Sequence, residues 1–268
     1  VNIGCSYYKF FESPIPKNLN DETSRFLRIG KVEKTPHPFI FEPAVNSKKI
    51  LEEGDFFFFD ILLFGKAMEY YPYFVYSISE MGKQGIGTGR GRYEIYNILN
   101  FTDEKSTENI YEDNKTLKKI ETFLEIKNPD QTLTERITFN FITPLRLQNK
   151  GELLQSINFN SIIINLIRKI STILVLHYNY EINEDYKGNA ARLIELSREI
   201  QTTHSNLRWK NWERWSSRQQ TKMDLGGLIG EISFEGDLTQ FNKIINIGRY
   251  VHIGKNTAFG LGKYELIV

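Results

Sequence analysis

The sequence is poor in the groups that carry most metal and redox chemistry. It has a single cysteine, Cys5, which excludes an internal disulfide and by itself supplies no metal-ligand set. Its four histidines, His37, His177, His204 and His252, show no metal-ligand spacing, and no Ser-His-Asp motif is present. Neither a metal nor a cofactor is expected. Charge of one sign is lacking too. The 34 basic and 33 acidic residues leave a net charge of +1, so no global field draws the chain to a polyanion, and any nucleic-acid surface must be local. The longest apolar runs, such as FFFFDILLF at 56–64, are too short to cross a bilayer, and no signal-peptide pattern is visible. These absences point away from membranes and towards a reducing, cytoplasmic setting.

What is present is globular in composition, 40% hydrophobic and 25% charged, and long enough for two domains. Fourteen tyrosines and 19 phenylalanines supply dry cores and stacking surfaces alike. The most informative feature is a repeat. Residues 89–95 read GRGRYEI and residues 260–266 read GLGKYEL, 171 positions apart, with four of seven positions identical. In each copy an apolar run closed by Gly (Phe56–Gly65, Gly227–Gly236) leads into a helical pattern (Met68–Glu80, Leu238–Tyr250), then a Gly-rich loop and a strand. Such loops bring backbone N–H groups close to a phosphate-bearing ligand.

The rest of the chain falls around these copies. GDFFFFDILLFG at 54–65 reads as a buried strand between glycines, and a strand is expected from Tyr93 towards Phe101. Residues 102–116 are almost wholly polar and read as a linker or hairpin tip. The second half opens on an alternating strand before Pro144. A helix with Ile162, Ile163, Leu166, Ile167, Ile170, Ile173 and Leu174 on one stripe follows, then a second helix near Asn189–Gln201. A polar, Trp-rich segment, a strand at Leu228–Phe234, a helix and the second Gly loop complete it. This is the split βαβ order of a ferredoxin-like domain. The expected class is α+β with tandem ferredoxin-like (RRM-like) domains: a partial first domain over 1–101, a linker or hairpin over 102–133, and a second domain over 134–268. The first-copy counterpart of the strand at Arg136–Ile142 falls before Val1, so the opening strand and helix of the first domain are expected to be missing from this sequence.

Three groups of residues can carry chemistry. The second loop, HIGKNTAFGLGKY at 252–264, combines Gly254, Gly260 and Gly262 with Lys255 and Lys263; the first, MGKQGIGTGRGRY at 81–93, carries Lys83, Arg90 and Arg92. Both follow a helix and open a strand, the reverse of a dinucleotide fingerprint, and neither has Walker spacing. A tight helix-to-strand turn and a backbone clamp for irregular nucleic acid both remain. The segment at 208–223 sets Arg208, Lys210, Arg214, Arg218 and Lys222 against one acid, Glu213, and holds all three tryptophans. Basic and aromatic side chains interleaved in this way suit phosphate contacts and base stacking, although the tryptophans read better as core. Among the histidines, His252 stands two residues before the loop and His37 is held between Pro36 and Pro38. His177 reads as a core or helix-end residue, and His204 lies in a polar stretch. Metal-free acid–base chemistry fits this set best, and RNA supports it through its own 2′-OH.

Six segments in order, HPFIFEP (37–43), GDFFFFDILLFG (54–65), MGKQGIGTGRGRY (81–93), TFNFITPLRL (138–147), RWSSRQQTKMDLGGLIG (214–230) and HIGKNTAFGLGKY (252–264), resemble the CRISPR repeat-RNA-processing endoribonucleases of the RAMP superfamily. The resemblance implies binding of a CRISPR repeat in precursor RNA and metal-independent cleavage leaving a 2′,3′-cyclic phosphate and a 5′-hydroxyl. It further implies a catalytic histidine, here His252 with Lys255 as phosphate ligand, or His37, with Tyr7 or Tyr8 as an aid. Other CRISPR effector subunits and a second copy of the chain are implied partners. A non-catalytic RNA-binding subunit would share the same loops. A small-molecule nucleotide-binding module is the competitor from another class, and the loop order argues against it.

Overall fold

The structure, a computed structural model, describes residues 10, 14–16, 19–27, 35–44, 50–87, 89–113, 116–126, 134–149, 151–216 and 221–267, with backbone alone at 214–216. In chain order the elements are α1 (Asp21–Leu27), β1 (Phe39–Pro43), β2 (Phe59–Leu63), α2 (Tyr71–Gln84), β3 (Leu99–Phe101), β4 (Thr107–Asn109), β5 (Tyr111–Glu112) and β6 (Thr116–Leu117). They continue with β7 (Arg136–Leu145), β8 (Gln148–Asn149), β9 (Glu152–Leu153), α3 (Phe159–Tyr178), α4 (Glu184–Leu196), β10 (Gln201–Lys210), β11 (Glu213–Ser216), β12 (Thr221–Asp224), β13 (Gly227–Glu235), α5 (Asn242–Val251) and β14 (Tyr264–Ile267). The chain gathers into two units, Val1–Gly65 with Asn128–Val268, and Lys66–Lys127. This grouping differs from the boundaries drawn from the sequence, because β1 and β2 join the second half rather than the segment that follows them.

The first unit is built on a four-stranded antiparallel sheet in the order β10-β13-β7-β14. With α3 between β7 and β10 and α5 between β13 and β14, this is the split βαβ order expected for the second half. Alternation decides which face is dry. Ile137, Phe139 and Phe141 of β7 are buried, with Phe159, Ile162, Ile163 and Leu166 of α3, Phe234 of β13 and Ile245 of α5 in the same core. Phe159 meets Phe234 and Phe241 edge-on at 5.2 and 5.0 Å, a geometry that suits the ring quadrupoles. Each such fully buried ring contributes about 2–3 kcal/mol of transfer free energy. Helix α3 is capped at both ends. Asn158 and Ser161 form a reciprocal capping box, and Asn179 closes the helix in the left-handed conformation at φ 53°. By length and composition α3 could cross a membrane, yet its apolar stripe lies in this core and Arg168 and Lys169 interrupt it.

Two expectations are corrected here. The polar segment after the second helix, read from the sequence without a strand, holds one: α4 ends at Leu196, and Gln201–Lys210 forms edge strand β10, paired along its length with β13. Its residues are exposed from Gln201 to Asn206, and only Leu207 and Trp209 turn towards the core, so the alternation that marks a half-buried strand is nearly absent. The run at 54–65 is not a buried strand. Only Phe59–Leu63 pairs, with β1, in register from Phe39↔Leu63 to Pro43↔Phe59, while Phe56 and Phe58 are 70% and 77% exposed.

In the second unit α2 leads into the first Gly loop, and β3–β4 and β5–β6 form two short hairpins within the polar stretch. The Tyr71 hydroxyl donates to the Lys118 carbonyl at 2.7 Å and accepts from Ile120 N–H at 3.2 Å, fastening the stretch to the helix. The strand expected from Tyr93 does not form over 92–98.

Candidate functional site

Loop 252–263 leaves α5 at His252 and enters β14 at Tyr264, and neighbouring backbone grips it throughout. Gly254 N–H donates to Asn165 Oδ1 of α3 at 2.8 Å, and Lys255 N–H to the Arg146 carbonyl at 3.0 Å. Gly262 N–H donates to the Pro144 carbonyl at 3.0 Å; Thr143 Oγ1 donates to the Gly260 carbonyl at 2.7 Å and accepts from Lys263 N–H at 2.8 Å. Two glycines are obligatory on steric grounds. At Gly262 (φ +72°) a Cβ would run into the Ile253 carbonyl, and at Gly260 (φ +78°) it would lie 2.6 Å from the Phe41 carbonyl. Gly254, at φ +92°, presses on the Arg146 carbonyl in the same way. The loop is a rigid fixture joining β7, α3 and β1.

The histidine at its head is enclosed. His252 has no exposed surface, and its Nε2 lies 2.6 Å from Glu42 Oε1 of β1 while Nδ1 lies 3.1 Å from the Leu261 carbonyl. Both ring nitrogens face acceptor oxygens, and both bonds are satisfied when the ring carries two N–H groups. Such a ring has no lone pair to offer a ribose hydroxyl. Lys263 Nζ bonds the other Glu42 oxygen. Burial alone would raise the Glu42 carboxyl, but the bonds and charges of His252 and Lys263 hold it below its ordinary value. Beside this trio a cleft of about 400 Å³ is lined by residues that include Glu42, Asp60, Asn140, Lys263 and Glu265. Burial, followed by the Glu42 charge, raises the Asp60 carboxyl. Three carboxylates against one ammonium make this cleft unsuited to phosphate.

The cations lie elsewhere. Lys255 is exposed on the loop, and Arg208 is exposed on β10. Lys210 sits 5.4 Å from the Trp212 ring centre, a cation–π contact, and Trp209 packs against the core. Lys222 pairs with Glu213 across the β11–β12 hairpin at 3.2 Å. The Arg214 side chain and Arg218 fall outside the described residues. Lys255, Lys210, Arg146 and Lys263 all stand where β10 and β7 end and β13 and β14 begin, so these four cations share one end of the sheet. In the second unit, Lys83 pairs with Glu80 at 2.6 Å, and Arg90 (φ 51°) and Arg92 are exposed.

Sequence reasoning missed several participants. Arg146, its side chain 11% exposed, donates to the Gly226 carbonyl and lies 3.8 Å from Asp224, pinning the Gly226–Gly227 turn against the Gly loop. Lys169 of α3 donates to Thr257 of the loop, and desolvation lowers its ammonium to about 7. Glu42 had one visible signal, an acid inside the apolar strand FIFEP. His37 is half-buried, with Nδ1 3.0 Å from the Phe10 carbonyl and its ring stacked on Phe39 at 5.2 Å. His177, in the last turn of α3, reaches the Pro36 carbonyl through Nε2 at 2.9 Å. Among the described residues no three His, Cys, Asp or Glu side chains group as metal ligands.

Residues 139–264, which contain the ferredoxin-like core and the whole second Gly loop, match the family described as CRISPR-associated endoribonuclease Cas6. This half of the chain belongs to the Cas6 family. Residues 1–122 match a family described only as an N-terminal domain. Among solved structures, a Thermus thermophilus Cas6 in its product complex aligns over 96% of this chain and 96% of its own, at 13% identity and a TM-score of 0.53. A partial Cas6-RT-Cas1–Cas2 complex aligns over 96% of this chain and 44% of its own, at 14% identity and a TM-score of 0.52. A further structure of the same Thermus protein aligns over 51% of this chain and 55% of its own, at 18% identity and a TM-score of 0.38, and so spans about half of either. Identities this low establish the fold alone. No curated protein matches the chain. Within the Cas6 domain the split βαβ sheet and the rigid loop coincide, and Lys255, Lys210, Arg146 and Lys263 stand at the loop's end of the sheet.

Proposed function

We propose that the chain is a metal-independent endoribonuclease that binds CRISPR repeat RNA and cleaves it to mature CRISPR RNA, leaving a 2′,3′-cyclic phosphate and a 5′-hydroxyl. The observation that carries this reading is the Cas6 domain itself, whose Gly loop is fixed at the cationic end of the sheet. Lys255, Arg208, Lys210 and Lys222 take phosphates there, Arg214 and Arg218 are assigned the same role from the sequence alone, and Lys83, Arg90 and Arg92 of the first loop take others. Lys263 is committed to Glu42, and the glycines serve by their shape.

Cleavage uses the RNA's own 2′-OH as nucleophile. The enclosed His252 anchors β1 to the loop, and His37 is the histidine with an acid–base task, since it is half-exposed and stands beside the first strand. We read β1, β2 and α2 as parts of a first ferredoxin-like domain in tandem with the second. Other CRISPR proteins are the expected assembly partners, as they are for the Cas6 of the Cas6-RT-Cas1–Cas2 complex, and a second copy of the chain is another.

The test is labelled repeat RNA in EDTA, beside a copy with one 2′-deoxy nucleotide at the cut site. Cleavage of the first alone, ending in a cyclic phosphate, is the expected result. Cleavage of the deoxy copy, or a need for divalent metal, would sink the mechanism. The enclosure of His252 favours one second reading, a non-catalytic RNA-binding subunit; tight binding of both RNAs without cleavage would establish it.

A further inference from the structure

We propose that Lys169 and Thr257 form a phosphate-binding pair at the second Gly loop, the Thr257 hydroxyl donating to an RNA phosphate while Lys169 takes up a proton to balance its charge. This rests on the RNA-binding part of the reading above. Lys169 lies one turn after Asn165, the α3 residue that holds Gly254 N–H, so one stripe of the helix meets the loop twice. Its Nζ donates to Thr257 Oγ1. No acid answers this ammonium. Helices α3 and α5 and loop 252–263 contain no Asp or Glu at all. Their charged groups are the cations Arg168, Lys243, Arg249, Lys255 and Lys263, and their other titratable groups are His177, His252, Tyr178 and Tyr250. On β1, Glu42 is taken up by His252 and Lys263. Helix α4 meets α3 at Ser171, through Tyr186, and α1 packs on Tyr186 through Phe26. Ser171 is two residues from Lys169 and so faces nearly the opposite way. The acids Glu22 of α1 and Glu184 of α4 pair with Lys187 there. Thr257 is 8% exposed; its oxygen accepts from Lys169, and its hydroxyl hydrogen meets no acceptor among the described residues.

An ammonium removed from water without a counter-charge is costly, and an anion is what completes such a site. Desolvation lowers Lys169 from 10.5 to about 7, so at neutral pH the free chain holds it partly as an amine. A phosphate at Thr257 changes both groups. Its oxygen accepts the hydroxyl hydrogen, and its negative charge, one hydroxyl away from Nζ, favours the ammonium. Nζ takes one proton from solvent and donates to Oγ1. Lys255, exposed two residues before Thr257, adds a second cation on the same loop. A phosphodiester stays charged throughout this range, so the proton belongs to the protein. Because binding raises the Lys169 value, affinity is level below about pH 7 and weakens above it, by up to about tenfold per pH unit.

The test is calorimetric binding of repeat RNA with a 2′-deoxy nucleotide at the cut site, which binds uncut. Titrations in buffers of different ionisation enthalpy give the protons taken up. At pH 8 the unsubstituted chain is expected to take up close to one proton through Lys169, and its affinity to fall about fivefold between pH 7 and 8. Lys169→Met fills the same space without a charge. It is expected to lose that proton, together with about tenfold of affinity at pH 6. Thr257→Val keeps the shape without the hydroxyl and is expected to lose about as much affinity. Lys255→Ala weakens binding but keeps the uptake at pH 8, so weak binding alone does not imitate the result. RNA bound at pH 8 without proton uptake, the same uptake by Lys169→Met, or full affinity of Thr257→Val would overturn the pair. No binding of this RNA by the unsubstituted chain would instead overturn the RNA-binding reading, and the pair with it.

Discussion

The two Gly loops share a sequence pattern and part of a structure, and they diverge where packing takes over. In both, the tyrosine of the motif reaches back to the preceding helix: Tyr93 OH donates to the Ile78 carbonyl at 2.8 Å, and Tyr264 OH to the Ile245 carbonyl at 2.6 Å. In both, a helical glycine makes room for that ring, Gly82 beneath Tyr93 and Gly248 beneath Tyr264. The glycines between differ. A Cβ added at Gly87 or Gly89 of the first loop would meet nothing within 4 Å, whereas Gly254, Gly260 and Gly262 each press on a backbone carbonyl. The first loop closes on itself through the Ile86↔Gly91 bridge; the second is sewn to β7, α3 and β1. Where the second has His252, the first has Met81, 49% exposed. A repeated motif therefore specifies the helix-to-tyrosine anchor, and its neighbours decide whether the loop is a fixture or an exposed turn.

The largest expected effect separates the two loops by stability. Gly262→Ala is expected to cost more than about 4 kcal/mol, because positive φ and the Ile253 carbonyl both oppose a Cβ; Gly89→Ala is expected to fall within about 0.5 kcal/mol. Denaturant titration of both variants checks this, and equal losses would break the contrast. Glu42→Gln tests what fastens the second loop. It removes a buried charge between His252 and Lys263 and is expected to cost about 3 kcal/mol at neutral pH. Since the folded Glu42 carboxyl lies below its ordinary value of 4.5, its contribution is fully present above that value and fades as pH falls through the lowered one. Melting the two proteins across this range should show their stabilities converging in acid, and a pH-independent gap would assign the loss to packing. The smallest effect concerns RNA. Lys255→Ala and Arg90→Ala are each expected to weaken binding several-fold and to reduce the salt slope by about 0.7 per lost phosphate contact on a single strand. A change for Lys255→Ala alone would restrict RNA contact to the packed loop.

Much of the Cas6 half was readable along the chain. The stripe from Ile162 to Leu174 lies on α3, and Leu228–Phe234 lies within β13, because deep burial leaves a periodic mark. Strand β10 left none, since an exposed edge strand of polar residues is held by its ladder with β13 rather than by apolar side chains. Residues 93–98 show the converse. YEIYNI has strand composition, yet only the equivalent YELI at 264–267 finds β7 to pair with and becomes β14. Placement of the site residues was less legible still. His252 stands beside a phosphate-binding pattern in the sequence, and the fold instead gives it Glu42, 210 positions away.

The sequence by itself determined the helix-to-tyrosine units, the apolar stripes of the core and the scarcity of soft metal ligands, because each depends on residue type and local spacing. Only the tertiary structure decided which loop is rigid, that Glu42 takes up both His252 and Lys263, and that His177 reaches the Pro36 carbonyl beside His37. Those outcomes depend on which backbone carbonyl or charge a distant segment brings within about 3 Å, the range over which a hydrogen bond acts.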